Sequence, residues 1–385
     1  MEFKFLLPSK IVMEPGLRER TGEHLQGLGL ARVLIVTDAG VKAAGLLDSV
    51  YASLDKAGIA YEEVADIKAN PRSEDINRTA QRYRGKGIDG LLAVGGGSAM
   101  DAAKAISLLL THEGRIEDYE GSFTLTHAIP PIVAIPTTAG TGSEVTCFSV
   151  ITDTARHFKM NVLDYRIGPV LALLDSHITD TLPASIAAAT GMDALTHAIE
   201  AYTCRVANPI SDGLALHAIR LISQHLKAAV QEPDNQQARE QMLVASLIAG
   251  MAFGNADVGS VHCISEAIGG MYDTPHGVGN AIFLPFVFGH NRDADILRHA
   301  QVAYALGIDP TLAPVDAAEA AVGHLFQMSK DLGIPCFAEV KGVRKEDFQV
   351  IAEKSKLNFS DASNAKAMSV EAYHAIITTA YHFVA

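Results

Sequence analysis

The chain is 385 residues long; 48% of its residues are hydrophobic and 19% are charged. This length and composition exclude a disordered chain and leave room for two domains, each with its own core. The formal net charge of −13 disfavours partners such as nucleic acid or anionic lipid, because both require a basic surface.

The cysteines and the N-terminus bear on the cellular compartment. The four cysteines are widely spaced, at Cys147, Cys204, Cys263 and Cys336. A sparse, irregular set is typical of a reducing compartment rather than of a disulfide scaffold. The first 16 residues carry early charges and no long apolar run, so no signal peptide is predicted. Since no run of about 18 apolar residues suggests a membrane span either, we expect a cytoplasmic protein.

The first half of the chain alternates short apolar runs with helix-like stretches. Strands are predicted at 31–36, 90–94, 131–135 and 170–174, with a helix at 99–110. Continuous apolar strands separated by helices indicate a mostly parallel sheet that is covered on both faces. This half is therefore predicted to be an α/β domain.

The second half is rich in alanine and follows a helical period, while the β-branched runs typical of strands almost vanish. Helices are predicted at 187–202, 211–230, 236–253, 260–269, 317–332 and 370–383. The change places a boundary near Leu182–Pro183. The predicted domains are therefore an α/β domain over residues 1–182 and an all-α domain over residues 183–385.

A glycine-rich segment joins a predicted strand to a predicted helix. It consists of Gly95, Gly96, Gly97 and Ser98, and Asp101 follows in the first turns of the helix. Glycines let the backbone approach a phosphate, and the free N–H groups at a helix start hold the anion. A tight strand-to-helix turn explains this segment equally well, because it is neither G-x-G-x-x-G nor a Walker loop.

A second loop of similar chemistry favours the first interpretation. Residues 136–144 (PTTAGTGSE) also follow a predicted strand and are rich in glycine and hydroxyl groups. Such a loop suits the lining of a dinucleotide cleft. Two loops of this kind after neighbouring strands predict a nicotinamide dinucleotide site in a Rossmann-like domain.

Acidic and imidazole side chains in the second half predict a metal site. Asp193 and His197 are four residues apart in a predicted helix and share one face. His262 and Glu266 repeat this spacing, and His276 follows a turn that can fold it back towards His262. One carboxylate and three imidazoles suit Fe²⁺ or Zn²⁺ with an open coordination position. A single one of the 15 histidines is more often packed or solvated, so the prediction depends on convergence of the set.

The motifs GGGSAMDAAKA, IPTTAGTGSEVT, GMDALTHAIE and HCISEAIGGMYDTPHGVGNAIFLP occur in this order. With them, nearly the whole chain resembles the iron-containing (group III) alcohol dehydrogenase family. The resemblance implies an N-terminal Rossmann-like dinucleotide-binding α/β domain and an all-α C-terminal metal-binding domain. It also implies an oxidoreductase that interconverts small primary alcohols and aldehydes with a nicotinamide cofactor.

The resemblance assigns roles to particular residues. The implied ligands of Fe²⁺ or Zn²⁺ are Asp193, His197, His262 and His276. The implied cofactor contacts are Gly95, Gly96, Gly97, Ser98, Asp101, Thr137, Thr138 and Lys159. The implied apolar lining of the substrate pocket is Phe148, Val150 and Phe253.

Two positions refine this picture. Asp38 occupies the position that often separates the two cofactors, and a carboxylate there repels a 2′-phosphate, so NAD is predicted over NADP. The family commonly has a second histidine four residues after His262, where this chain has Glu266. Glu266 is predicted to act with His262 in catalysis, as proton acceptor or by bonding the substrate hydroxyl. The alternative is that Glu266 orients a ligand histidine.

Two other functions stay open at this point. One is a related enzyme of the superfamily, similar to glycerol dehydrogenase or maleylacetate reductase, and the other is a non-catalytic nucleotide-binding protein. The metal-free reductase and the binding protein have no use for four converging ligands. Because the family forms dimers and larger assemblies, the resemblance implies a homo-oligomer acting on a small alcohol or aldehyde, with no nucleic-acid or membrane partner.

Overall fold

The computed structural model describes residues 2–384 of the chain. They form two compact units. The α/β unit comprises Leu7–Thr138 and Gly142–Leu182. The helical unit runs from Pro183 onwards and also includes the N-terminal residues through Leu6 and the short stretch Ala139–Thr141.

The α/β unit is built on parallel strands. Its strands are β1 (Lys10–Met13), β2 (Arg32–Val36), β3 (Ala60–Val64), β4 (Gly90–Gly95), β5 (Gly121–Ser122), β6 (Ile132–Pro136), β7 (Phe148–Asp153), β8 (Phe158–Leu163) and β9 (Leu171–Leu174). Its helices are α1 (Thr21–Gly27), α2 (Ala39–Ala43), α3 (Asp48–Ala57), α4 (Ser73–Tyr83) and α5 (Gly97–Thr111). A parallel sheet has the order β1-β9-β6-β4-β2-β3, and a smaller sheet has the order β5-β8-β7.

Alternate side chains of the central strands enter different cores. Leu34 and Leu91 pack with α4 and α5, whereas Val33 and Leu92 pack with α1 and α3. Burial on both faces explains why these strands are continuous apolar runs. The predicted strands correspond to β2, β4, β6 and β9 with ends that shift by at most one residue, and the predicted fold class is confirmed.

The helical unit contains the remaining helices. They are α6 (Ala184–Thr203), α7 (Pro209–Gln231), α8 (Gln236–Phe253), α9 (Ser260–Tyr272), α10 (His276–Asn291), α11 (Ile296–Ala305), α12 (Pro314–Asp331), α13 (Phe348–Lys356) and α14 (Val370–His382). The predicted helices correspond to α6, α7, α8, α9, α12 and α14, while α10, α11 and α13 were not predicted. Among residues 2–384, no helix has both the length and the apolar character that crossing a bilayer requires.

Local sequence explains where several of these helices begin. Asn208 caps α7 by accepting hydrogen bonds from the amides of Ile210 and Ser211, and Pro209 occupies the first helical position. Glycine then allows close packing between α6 and α7, because a Cβ atom at Gly191 would collide with Leu226. This close approach helps to bury α6, the helix that carries the first candidate metal ligands.

Candidate active site

Three polar side chains lie along one face of the buried helix α6. Asp193, His197 and Glu200 are spaced at i, i+4 and i+7, which brings them to the same side of a helix. All three are buried, and the Glu200 residue is 5% exposed. Buried carboxylates and imidazoles need polar partners, so this face of α6 is expected to line a polar site.

The helices α9 and α10 supply the other two histidines. His262 lies in the first turn of α9, and His276 is the first residue of α10. Between the helices, Asp273 adopts a left-handed conformation with φ 58°, and the chain turns back. The ring centroids of His262 and His276 are 5.2 Å apart, in agreement with the return that the sequence indicates.

Asp193, His197, His262 and His276 converge on one centre. Each offers one ligand atom, and these atoms all lie within 4.8 Å of one another. Asp193 Oδ1 is 4.0 Å from His197 Nε2 and 3.8 Å from His276 Nε2. Ligand atoms around a tetrahedral ion with bonds of about 2.1 Å lie roughly 3.4 Å apart. Small side-chain rotations therefore bring this set to coordination distance.

The amide of Asn280 shows what the cluster attracts. Its Nδ2 is 2.6 Å from Asp193 Oδ1, 3.0 Å from His262 Nε2 and 3.2 Å from His276 Nε2. Two amide hydrogens cannot serve three acceptors, and in the described part of the chain Asn280 Oδ1 is buried without a hydrogen-bond partner. The ligand atoms thus point at a position that favours positive charge, so the residues fit a divalent cation.

The second nitrogen of each histidine ring is also held. Each Nδ1 lies near an oxygen of the helical unit: Gly140 O at 3.3 Å from His197, Glu200 Oε2 at 2.6 Å from His262, and Ser265 Oγ at 3.3 Å from His276. Carbonyl and carboxylate oxygens accept hydrogen bonds only, so His197 and His262 carry their proton on Nδ1. In the neutral form of each ring, the Nε2 lone pair is therefore available to a metal ion.

Burial and charge set the protonation of these rings in opposite directions. Burial lowers the pKa of His197 to about 4, so at pH 7 the ring is neutral and can coordinate without losing a proton. Burial also opposes a charge on His262, but its hydrogen bond to Glu200 and the nearby carboxylates outweigh burial and raise its pKa.

The predicted cofactor residues gather at one edge of the parallel sheet of the α/β unit. Asp38 follows β2, the glycine-rich segment begins at Gly95, the last residue of β4, and Thr137 and Thr138 follow β6. These three strands are adjacent and parallel, so their carboxyl ends share an edge. Ligands of open α/β sheets bind at that edge. The expectation that the two glycine-rich loops follow neighbouring strands is confirmed.

The glycines of this segment have different roles: one is required by packing in the turn, and the others could face a phosphate. A Cβ atom at Gly95 would lie 2.6 Å from Ala99 Cβ, so packing alone requires this glycine. Gly96 is the N-cap of α5, and no side chain caps this helix. The first amides of the 15-residue helix, from Gly97 and Ser98 onwards, therefore supply the donors for an anion.

Asp38 has a structural role beside its predicted cofactor role. Its Oδ1 caps α2 by accepting from the amides of Gly40 at 2.8 Å and Val41 at 3.0 Å. Its Oδ2 would lie 3.4 Å from a Cβ atom at Gly95. The cap therefore holds Asp38 beside the glycine-rich segment.

Asp101 connects the two glycine-rich loops. It accepts a hydrogen bond from Ser143 Oγ at 2.9 Å and another from the amide of Val150 at 3.2 Å. Thr137 donates its amide to Gly95 O at 3.0 Å, and Lys159 lies buried on β8. These contacts stabilise the loops, while direct contact of Asp101, Thr137 or Lys159 with a cofactor stays a prediction.

Comparison with known proteins identifies the family. The family profile for iron-containing alcohol dehydrogenase matches residues 8–176, and the profile for the C-terminal part of the Fe-containing alcohol dehydrogenase family matches residues 187–381. The 1,3-propanediol dehydrogenase of Klebsiella pneumoniae is 40% identical over 98% of this chain and 99% of its own length. The NAD-dependent methanol dehydrogenase of Bacillus methanolicus is 37% identical over 98% of this chain and 99% of its own length.

The fold comparison agrees. The crystal structure of a 1,3-propanediol oxidoreductase superposes with a TM-score of 0.95 at 40% identity, covering 99% of this chain and 100% of the other. The chain belongs to the iron-containing alcohol dehydrogenase family. The predicted enzyme class, an oxidoreductase acting on an alcohol group, is confirmed, and the two alternative functions are not favoured.

The predicted pocket residues of this alcohol dehydrogenase lie in both units. Phe148 and Val150 are partly exposed on β7, in the α/β unit. Phe253 ends α8 in the helical unit, and its ring stacks on that of His197 with a centroid distance of 4.2 Å. Phe253 therefore lies beside the candidate metal ligands, while a substrate role for the three side chains stays a prediction.

Glu266 lies one turn after His262 on α9. Its Oε2 accepts a hydrogen bond from Asn358 Nδ2 at 2.6 Å. The carboxylate that bonds the Nδ1 atom of His262 is Glu200. Both predicted roles of Glu266, proton acceptor and orienting carboxylate, stay predictions.

Sequence reasoning missed Glu200 and Asn280. Glu200 lies seven residues after Asp193, so helical periodicity could have placed it on the ligand-bearing face of α6. Asn280 lies four residues after His276, but this spacing carries meaning only once α10 is known to be a helix. Neither signal identifies the ring or ligand atom that each residue contacts.

Proposed function

We propose that this alcohol dehydrogenase is metal- and NAD-dependent and interconverts small primary alcohols and aldehydes. The main structural support for this proposal is the convergence of four side chains whose ligand atoms lie within 4.8 Å of one another: Asp193, His197, His262 and His276. Fe²⁺ or Zn²⁺ suits one carboxylate and three imidazoles. Relatives named for 1,3-propanediol and methanol support a small primary alcohol as the substrate.

In this proposal the two units contribute different chemistry. A divalent cation held by the cluster would supply Lewis-acid stabilisation of negative charge on the alcohol oxygen. The α/β unit binds the dinucleotide, with the amides from Gly96 to Ser98 donating to its pyrophosphate. Asp38 accepts a hydrogen bond from a ribose hydroxyl and repels a 2′-phosphate, which favours NAD over NADP. Thr137, Thr138 and Lys159 contact the ribose and nicotinamide portion.

Oxidation of the alcohol by NAD⁺ yields an aldehyde, NADH and a proton, and the proton needs an acceptor. Glu266 is proposed for this role with His262 as its neighbour. It is largely buried on the same face of α9 as His262, and Asn358 holds one of its oxygens at 2.6 Å. The carboxylate is thus oriented near the ligand set rather than free in solvent.

A Glu266→Gln variant tests the proton role. The amide preserves size and an acceptor for Asn358 but cannot take a proton, so the acidic limb of the kcat/KM profile for alcohol oxidation should disappear. The measurement is the pH dependence of kcat/KM, with metal content determined in parallel. A profile identical to that of the wild type would exclude Glu266 as the proton acceptor.

Metal removal and reloading test the proposed function as a whole. Protein stripped by a chelator is reloaded with Fe²⁺ or Zn²⁺ and assayed for NAD⁺ reduction with methanol, ethanol, 1,3-propanediol and glycerol. Activity should depend on the metal and should favour methanol, ethanol and 1,3-propanediol over the polyol glycerol. The matched control is His217→Ala, which removes an exposed histidine of α7 and should leave metal content and activity unchanged. Binding of NAD without metal uptake or alcohol oxidation would contradict the proposal.

The proposal also includes a cytoplasmic homo-oligomer, a dimer or larger. All four cysteines are free, which fits a reducing compartment. Size-exclusion chromatography with light scattering measures the assembly directly, and a monomer at micromolar concentration would contradict this part.

A further inference from the structure

We infer that Glu200 is a positioning residue that orients the His262 ring and holds the proton of the neutral ring on Nδ1, and thereby sets the affinity of the cluster for its cation. The inference rests on the proposed function, because it requires the cluster to be a metal site. It concerns a residue outside the set of four ligands. It assigns to Glu200 a function in metal binding rather than in contact with substrate or cofactor.

The Glu200 carboxylate is fully engaged at the start of α9. Its Oε2 accepts from His262 Nδ1 at 2.6 Å and from the amide of Gly259 at 2.9 Å, and its Oε1 accepts from the amide of Val261 at 2.8 Å. The first amides of a helix have no intrahelical acceptor, and negative charge is favourable at this end. One buried carboxylate thus fixes both the helix end and the ring that projects from it.

The backbone is adapted to this approach. The N-cap of α9 is Gly259, which has no side chain to satisfy the amides that follow. A Cβ atom at this position would lie 3.0 Å from Glu200 Oε1 and 2.8 Å from Asn364 Oδ1. Glu200 therefore replaces a local capping side chain, and it reaches this position from another helix, α6.

The consequence for the metal site follows from hydrogen-bond chemistry. An ionised carboxylate only accepts, so the single proton of the neutral His262 ring stays on Nδ1 and the lone pair lies on Nε2. A glutamine at position 200 has one acceptor oxygen in place of two and no negative charge, so it cannot serve the amides of Gly259 and Val261 and the Nδ1–H of His262 together. An NH₂ group facing Nδ1 would favour a ring proton on Nε2, whereas an oxygen facing Nδ1 would leave Nε2 less basic than the carboxylate does, and either change weakens metal binding. This loss of metal affinity depends on the contact between the Glu200 carboxylate and His262.

A nearby carboxylate offers a matched control. Asp257 lies just before α9 and accepts hydrogen bonds from Ser360 Oγ at 2.8 Å and Ser363 Oγ at 2.6 Å. Its Oδ1 also accepts from the amide of Val258 at 2.8 Å. Asp257→Asn therefore perturbs the same approach to α9 but removes no carboxylate from a candidate ligand.

The experiment measures metal affinity rather than turnover. Wild type, Glu200→Gln and Asp257→Asn are stripped of metal and titrated with Zn²⁺ against a chromophoric chelator and with Co²⁺ by visible absorption. Glu200→Gln should weaken Zn²⁺ binding by about 10- to 100-fold and alter the Co²⁺ spectrum, as loss of a ligand's hydrogen-bond partner does. Asp257→Asn should bind both metals as the wild type does.

The outcomes separate this inference from the proposed function. A wild type that binds neither ion contradicts the metal site itself. Wild-type affinity in Glu200→Gln, or equal losses in both variants, overturns the positioning role while the metal site stands. If Glu200→Gln does not fold, Gly259→Ala is titrated instead, because its methyl group presses on Glu200 Oε1. Unchanged affinity in that folded variant would also overturn the inference.

Discussion

Each unit buries a charged cluster, and the two clusters differ in the source of their positive charge. In the α/β unit, Lys104 is fully buried on α5. Its Nζ lies 2.7 Å from Ser143 Oγ, 2.7 Å from Phe148 O, 3.2 Å from Thr146 Oγ1 and 3.8 Å from Asp101 Oδ1. The chain supplies the cation itself, and oxygens surround it.

In the helical unit, the corresponding centre is lined by acceptors. Asp193 offers a carboxylate oxygen, and His262 and His276 offer ring nitrogens to the amide of Asn280, whose own oxygen is left without a partner in the described residues. A cluster that contains its own lysine needs no cation from solution. A cluster whose acceptors face a single amide could be completed by a cation from solution, as proposed above, which is why one of the two is a candidate active site.

The largest expected effect is on activity, and it comes from substituting a candidate metal ligand in the acceptor-lined cluster of the helical unit. Asp193→Asn removes its carboxylate charge with little change in volume, so metal binding should be lost and kcat/KM should fall by about 10³-fold or more, roughly 4 kcal/mol. Metal analysis and steady-state kinetics measure this. Glu371→Gln, which neutralises an exposed carboxylate of α14 in the same unit, is the control. One bound metal per chain in Asp193→Asn would disprove the ligand assignment.

Substitution of Lys104 in the cluster of the α/β unit should lower the free energy of unfolding and leave the metal content unchanged. Lys104→Met leaves Asp101 and the surrounding oxygens without their buried donor, which should lower the free energy of unfolding by about 3–5 kcal/mol. Urea denaturation measures the loss. Lys42→Met removes an exposed lysine paired with Glu63 and should cost less than about 1 kcal/mol. Equal stability of the two variants would contradict the comparison.

The stability of the α/β unit should depend on pH because of the buried Glu144. Burial raises the pKa of Glu144 from an ordinary value of 4.5 to about 7. The folded state therefore holds a proton that the unfolded state has released, and stability should fall as pH rises from about 4.5 to about 7, by roughly 3 kcal/mol.

The Glu144→Gln variant isolates this effect. The amide cannot ionise, so the difference in unfolding free energy between variant and wild type should grow in favour of the variant between pH 5 and pH 7. It should then stay constant at higher pH. Denaturant unfolding at a series of pH values measures the difference, and parallel curves for the two proteins would refute the raised pKa.

The smallest expected effect concerns the choice of cofactor at the sheet edge. Asp38→Asn keeps a good N-cap for α2 but removes the charge, so the ratio of kcat/KM for NADP to that for NAD should rise by about tenfold, roughly 1.4 kcal/mol. Asp38→Ala should give a similar ratio but also lose about 1 kcal/mol of stability with the cap. A wild type that prefers NADP would contradict the assignment.

The central strands and most of the long helices could be read from the sequence. The strands β2, β4, β6 and β9 are buried on both faces and therefore appear as uninterrupted apolar runs. The edge strand β3 (AYEEV) and the hairpin strands β7 and β8 carry polar residues and were not predicted. Strand identity there depends on the neighbouring strand more than on composition.

Helical spacing and glycine-rich loops are local patterns, so the family resemblance and the candidate ligands were predictable from the sequence. The orientation of these side chains depends on how the helices pack. Glu200 bonds His262 across 62 residues of sequence, and Asn280 reaches Asp193 across 87. Contacts at such separations follow from helix packing, which no short stretch of sequence encodes. The same packing gave one buried cluster its own lysine and left the acceptors of the other facing a single amide.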